Sequence, residues 1–104
     1  LSLPILNISS DIDLANDNSL MTLICNTTIS NVNVTFPNTL SQNLVGRVYI
    51  IKNIGTNPAN VVNVDPGAST IDGASGYFQI PYGLAYSSAT IVLQSDGANW
   101  WFMW

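Results

Sequence analysis

The side chains able to do chemistry in this 104-residue chain are few, and most are aspartates. All six acids are Asp, and there is neither Glu nor His. General acid–base catalysis draws on His or on paired carboxylates. A nucleophilic Ser or Cys needs a neighbouring base, so Ser-His-Asp and Cys-His arrangements are excluded. Zinc sites want clusters of Cys and His, and Cys25 stands alone. Gly73 and Gly76 lack the following helix that a phosphate-cradling loop requires. Two acidic constellations remain. Asp11, Asp13 and Asp17, with Asn16 and Asn18, offer oxygen ligands suited to Ca²⁺. The helix–loop–helix calcium pattern nevertheless wants Gly sixth and Glu twelfth, where this chain has Asn16 and Thr22, and a solvated acidic loop is the plainer alternative. Asp72 and Asp96 offer a carboxylate pair of the glycosidase kind, against the plainer role of turn-forming Asp. An enzyme is therefore not expected, nor a bound metal or cofactor.

The aromatic residues carry the other chemistry. The last five residues are Trp100, Trp101, Phe102, Met103 and Trp104. In an all-β protein such rings belong to the core or to a subunit interface. A free end so apolar would expose a large patch, which points to a strand pinned in a sheet or against another subunit. The alternative is a sugar platform, in which an exposed ring stacks on a pyranose while amides and carboxylates bond its hydroxyls. Tyr77, Tyr82 and Tyr86 lie in or beside predicted loops and suit that role better. An acidic sugar would also want a cation; Lys52, beside the loop at 53–60, is better placed than Arg47, which opens a core strand and is expected to pair with an acid.

Composition narrows the partners. Charged residues make up 8% of the chain, against about a quarter in ordinary domains. Two cations and a net charge of −4 exclude nucleic acid, whose phosphates need several. Mean hydropathy is +0.29, yet no apolar run approaches the roughly 18 residues of a membrane span, and membrane insertion is not expected. Asn, Ser and Thr take the place of charge. Interface cores are depleted in Lys, Glu and Asp, so an oligomer is expected; a hydrogen-bond-rich extracellular surface is compatible with it. Cys25 sits in an apolar run and reads as a buried, inert thiol. Asn7, Asn26 and Asn33 match the N-glycosylation pattern, but in predicted strands and in a chain this rich in Asn and Thr they read as chance. No secretory signal is expected at the start, and the abrupt opening suggests a piece of a longer polypeptide.

The elements that position these residues are short strands. Turn residues recur every eight to twelve positions with apolar runs between them, as in a sandwich or barrel. Strands are expected at 3–8, 20–25, 29–36, 45–53, 60–65, 70–71, 77–80, 89–94 and 99–104. Pro4 favours an edge for the first. The run at 20–25 is apolar enough for burial on both faces. In the last strand Trp100, Phe102 and Trp104 share one face, Trp101 and Met103 the other. The expected architecture is one all-β domain over 1–104, a compact antiparallel β-sandwich without internal repeat.

Three segments carry a resemblance: Gly46-Arg-Val-Tyr-Ile-Ile-Lys-Asn-Ile-Gly-Thr-Asn-Pro-Ala-Asn60, Thr70-Ile-Asp-Gly73, and Ile91-Val-Leu-Gln-Ser-Asp-Gly-Ala-Asn-Trp100. An apolar strand, an Asn/Gly loop, a Thr-Ile-Asp-Gly turn and a Ser-Asp-Gly-x-Asn-Trp hairpin resemble the terminal head domains of virus and phage attachment fibres. Small fibre heads of the adenovirus type are similar in size and β content. The resemblance implies a homotrimer at the distal end of a fibre on the virion surface, binding a host cell-surface protein or glycan. It supplies no receptor-contacting positions. The alternatives are a carbohydrate-binding or adhesin module, or a purely structural trimerisation cap.

Overall fold

Residues 32–35 read Val-Asn-Val-Thr; both valines are fully buried, while Asn33 faces outward. Strand side chains alternate between faces, so such a segment buries one face and needs a second sheet to cover it. The computed structural model describes residues 4–16, 22–37, 44–82 and 89–103. Its strands are β1 (Ile5–Ile8), β2 (Ile12–Asp13), β3 (Thr22–Cys25), β4 (Val32–Thr35), β5 (Val48–Asn53), β6 (Val62–Asp65), β7 (Phe78–Ile80), β8 (Thr90–Ser95) and β9 (Trp100–Phe102). They form a five-stranded sheet, ordered β1-β3-β5-β8-β9, and a four-stranded sheet, ordered β2-β4-β6-β7. The two pack as an all-β sandwich, as the sequence leads one to expect. No helix among the described residues is long and apolar enough to cross a membrane.

The expected antiparallel pairing needs correction. It holds for β5–β8, β8–β9 and β6–β7. The pairs β1–β3, β3–β5, β2–β4 and β4–β6 are parallel. Parallel neighbours need a crossover between them. Here each crossover is a strand of the opposite sheet, so the chain winds as a short two-sheet coil before the antiparallel strands close it. The structure thus repeats where no sequence repeat was expected: Val32, Asn33 and Val34 lie in register beside Val62, Asn63 and Val64. The short β2 and the 3₁₀ turn at Leu14–Asn16 occupy a segment that reads as acidic loop. Residues 22–25 bury one face, not two. Residues 70–71 form no strand; Ile71 instead makes single bridges to Ala74 and Trp100.

The core lies between the sheets. Leu23, Tyr49, Ile51, Leu93 and Trp100 meet Val32, Val34, Val62, Val64 and Ile80 there. Trp100 is fully buried in an aromatic cluster, 4.7 Å from Phe36 and 5.4 Å from Tyr49 by ring centroids. The Arg47 guanidinium lies 5.0 Å from the Tyr49 ring centre, a cation–π placement. Cys25 is buried as expected; burial pushes its thiol up to about 12, so the inert neutral form is held.

One buried polar node ties successive turns of the coil together. Asn53 Oδ1 accepts from Thr27 Oγ1 at 2.8 Å and from Gly55 N at 2.9 Å. Its Nδ2 donates to the carbonyls of Ile80 and Pro81. All the amide's ready partners are thereby supplied, which is what a buried polar group needs. Gly55 is required by proximity: a Cβ there would collide with Thr27 Oγ1 and lie 2.8 Å from Thr27 N.

Candidate functional site

The two loop carboxylates that offered a catalytic pair both accept hydrogen bonds from the chain around them. Asp96 Oδ1 accepts from Ala98 N and Asn99 N, and its Oδ2 accepts from Trp101 Nε1 at 2.8 Å. The Asn99 N–H, then the Ala98 N–H and the Trp101 indole hold this exposed carboxyl below its ordinary value. Asp72 Oδ1 accepts from Phe102 N at 2.9 Å. Asp72 and Gly73 both have positive φ, 50° and 82°, and Ile71 and Ala74 exchange both backbone hydrogen bonds across them. That is the two-residue hairpin turn for which Asp-Gly is favoured. Trp100 N donates to Thr70 O, and Asp72 N donates to Trp100 O. Thr70 N and Ser69 Oγ reach Asn99 Oδ1 and Ala98 O. The Thr-Ile-Asp-Gly turn and the Ser-Asp-Gly-Ala-Asn-Trp hairpin, distant in sequence, therefore form one latch.

The terminal aromatics divide between faces as the alternation predicts. Trp100 belongs to the core, and Phe102 packs inward on Phe78 with ring centroids 4.7 Å apart. Trp101 and Met103 are exposed. Trp104 lies outside the described residues.

The outer face of the five-stranded sheet is mostly apolar, with Thr and a few other polar side chains among the aliphatics. Register aligns Ile5, Thr22, Ile50 and Val92 across four strands, and Met103 N donates to Val92 O at the next. Val48, Gln94 and Trp101 form a neighbouring row. Ile5 and Met103 are well exposed, whereas Ile50, Val48 and Val92 are half-buried. Lys52 sits on this face, in line with Ile24 and Thr90, and donates to Thr90 Oγ1 at 3.3 Å.

The outer face of the four-stranded sheet is polar and hydrogen-bonded along its breadth. Gln79 Nε2 donates to Asn63 Oδ1 at 3.1 Å, and Asn63 Nδ2 to Asn33 Oδ1 at 2.9 Å. Asn33 in turn gives Asp11 two bonds, from Nδ2 at 3.3 Å and from its backbone N at 2.9 Å. Every donor in this chain points toward the Asp11 carboxylate, an ordering in which each bond polarises the next. Beside it runs the row Asp13, Thr35, Asp65. A cleft of about 450 Å³ opens here, lined by Asp11, Ile12, Asp13, Asn33, Thr35, Asp65 and Tyr77. A second groove of about 710 Å³ shares Asp11 and Asn33 and adds Ser9, Ser10, Ser30 and Asn31.

Of the proposed ligand-binding residues, Tyr77 lies on this polar face and is 67% exposed. Tyr82 is half-buried just beyond β7. Tyr86 lies outside the described residues. Lys52 is on the opposite sheet, so it and Tyr77 do not share a site. Of the suggested calcium ligands, Asp13 caps the 3₁₀ turn through Ala15 N, Asp11 ends the amide chain, and Asp17 and Asn18 lie outside the described residues. No group of three acidic, Cys or His side chains able to hold a metal ion forms among the described residues. Asn26 stands just after β3 rather than within a strand, and its Oδ1 accepts from Thr28 N and Oγ1. Asn33 and Asn63 were not foreseen as site residues. The signal was the Val-Asn-Val triplet, present twice, but its meaning depends on parallel register. Comparison with protein families, with curated proteins and with solved structures finds no match for this chain.

Proposed function

We propose that this chain is the receptor-binding head of a viral attachment fibre. It would act as a homotrimer at the distal end of the fibre on the virion surface and attach to a host cell-surface protein or glycan. The observation that carries this is the opposite character of the two outer faces. A largely apolar face, Ile5, Ile50, Val92 and Met103 with Trp101 beside them and Thr22 between Ile5 and Ile50, suits burial against copies of the same chain. A polar face with clefts, on the other sheet, remains for a ligand. The resemblance of the 46–60, 70–73 and 91–100 segments to fibre heads supports the same function, and those last two segments form the latch. The role is binding rather than catalysis, because Asp72 and Asp96 are occupied with backbone and indole donors. Three modest sites on one fibre gain strength through effective concentration.

Sedimentation equilibrium of the intact chain tests this. A stable trimer is expected, and a monomer in dilute buffer would sink the fibre-head function. The polar face and Tyr77 favour one second reading, a carbohydrate-binding or adhesin module acting as a monomer. A trimer that binds no host cell would leave only a structural cap.

A further inference from the structure

We infer that the outer face of the four-stranded sheet binds an uncharged glycan. Tyr77 is the stacking surface, and the amide chain from Gln79 to Asp11 reads the hydroxyls. The assignment rests on the attachment function proposed above and narrows its receptor to a chemical class and a face.

The geometry fits in three ways. Neighbouring strands stand about 4.7–4.9 Å apart, so Asn33, Asn63 and Gln79 form an evenly spaced row of planar amides. Their mutual bonds fix which end of each amide is donor and which acceptor. Each NH₂ group has two hydrogens and each carbonyl two lone pairs, so after the chain is made Asn33 and Asn63 each keep one donor and one acceptor site, and Gln79 keeps one donor and two acceptor sites. Sugar hydroxyls both give and accept, and they demand such alternation. Second, Tyr77 is the exposed ring on the cleft, and a Tyr ring is apolar on its face with a polar tip. It can cover the C–H face of a pyranose while its neighbours bond the ring's edge. Third, the cleft and the groove beside it share Asp11 and Asn33, so the open polar surface continues from one to the other. Together they suit more than one sugar unit.

Charge selects within the class. Asp11, Asp13 and Asp65 surround the cleft, while Lys52 faces outward from the other sheet. A sialylated or sulfated glycan would meet like charge, and such juxtaposition is a means of rejecting wrong partners. Carboxylates are acceptors only and bond neutral hydroxyls well. Asn and Gln ladders also stabilise stacked strands without any ligand. Tyr77, Thr35 and the Ser-lined groove are what a ladder of that purpose would not require.

The test is a titration of the ¹⁵N-labelled intact chain with neutral oligosaccharides: lactose, maltotriose, cellotriose, chitotriose and mannotriose. The charged arm is 3′-sialyllactose. At least one neutral probe should shift the side-chain amide signals of Asn33, Asn63 and Gln79, while 3′-sialyllactose at equal concentration leaves them in place. Tyr77→Ala should weaken binding about tenfold, equivalent to about 1.4 kcal/mol, with an unchanged melting temperature; Lys52→Ala should bind normally. The inference is overturned if no neutral probe moves these signals up to about 50 mM, a range that detects even millimolar affinity. It is also overturned if the charged probe binds better, or if Lys52→Ala rather than Tyr77→Ala loses binding. The two proposals fail separately. A trimer deaf to every saccharide overturns this inference and leaves a protein receptor for the fibre head. A monomer that binds a neutral saccharide on this face keeps it and removes the fibre head.

Discussion

On the outside of the five-stranded sheet, Ile50 has Thr22 and Val92 as its neighbours in register. At the corresponding central place on the other sheet stands Asn63, bonded to Asn33 on one side and to Gln79 on the other. The inward halves of both sheets are alike, built from Val, Ile and Leu with Tyr49 and Trp100 added. The difference is confined to the alternate positions, which folding itself leaves free. A chain with so little charge has few ways to give its two outer faces different characters. This chain does it with side-chain shape and hydrogen bonding: branched aliphatics on one outside, planar amides on the other, and three carboxylates at the edge of the second.

The strongest way to break this contrast is through what the faces share. Trp100→Ala removes the largest core side chain, and such truncations cost about 3–5 kcal/mol. Denaturant unfolding should show a loss in that range, and self-association and saccharide binding should fall together. A variant of normal stability would mean that the faces do not depend on a common core. Next in size, Ile50→Lys places a charge in the middle of the apolar face. Sedimentation equilibrium should show monomer in place of trimer; the thermal melt of the monomer should move little, as surface changes usually stay within about 0.5 kcal/mol. A persistent trimer would show that association uses another surface.

Asn63→Ala sharpens the contrast from the polar side. It cuts the amide chain in the middle, and a hydrogen bond contributes about 0.5–1.5 kcal/mol net. Urea unfolding should register a loss of about 1 kcal/mol, with the association state unchanged. No loss would mean that the chain of amides adds nothing to the stacking of β4, β6 and β7. The smallest effect belongs to Asp96, between the faces, where Trp101 of the apolar face is tethered. Its folded carboxyl is held below the ordinary value of about 3.9. The stability it adds is present above that ordinary value and disappears as pH falls through the lower folded one. Acid unfolding of Asp96→Asn should therefore differ from the parent at neutral pH, and the gap should close in strong acid. A gap that stays constant with pH would assign the difference to something other than the carboxylate's charge.

Much of the strand plan was legible in the sequence. Val32, Val34 and Phe36 alternate with Asn33 and Thr35, and that fixes which side is core without knowledge of any neighbour. The final strand was readable for the same reason, Trp100 inward and Trp101 outward. What period-two alternation cannot carry is the direction of the partner strand. A strand buries the same side whether its neighbour is parallel or antiparallel, and turn residues such as Pro37 or Gly55 mark ends without saying which sheet comes next. The coil was hidden further because its successive turns differ in length, which leaves no fixed period to find. The polar face shared that concealment: Asp11, Asn33, Asn63 and Gln79 become neighbours only through the parallel register of β4 with β6 and the turn that brings β7 beside them. Tyr77, like Tyr82 and Tyr86, is legible as a ring in or beside a loop, but nothing in one sequence places Lys52 on the sheet opposite Tyr77.

A coil of stacked strands is open-ended by nature, since each new turn presents the same row of unpaired amides and carbonyls as the last. At β9 that row is blocked. Ile71 bridges Trp100, and the side chain of Asp72, held in a left-handed conformation, takes up the N–H of Phe102. Exposed strand edges recruit other strands, and repeated recruitment ends in fibrils. Asp72 therefore caps an N–H that an added strand would otherwise use. Its loss would announce itself as a haze in a concentrated sample before it moved any melting curve.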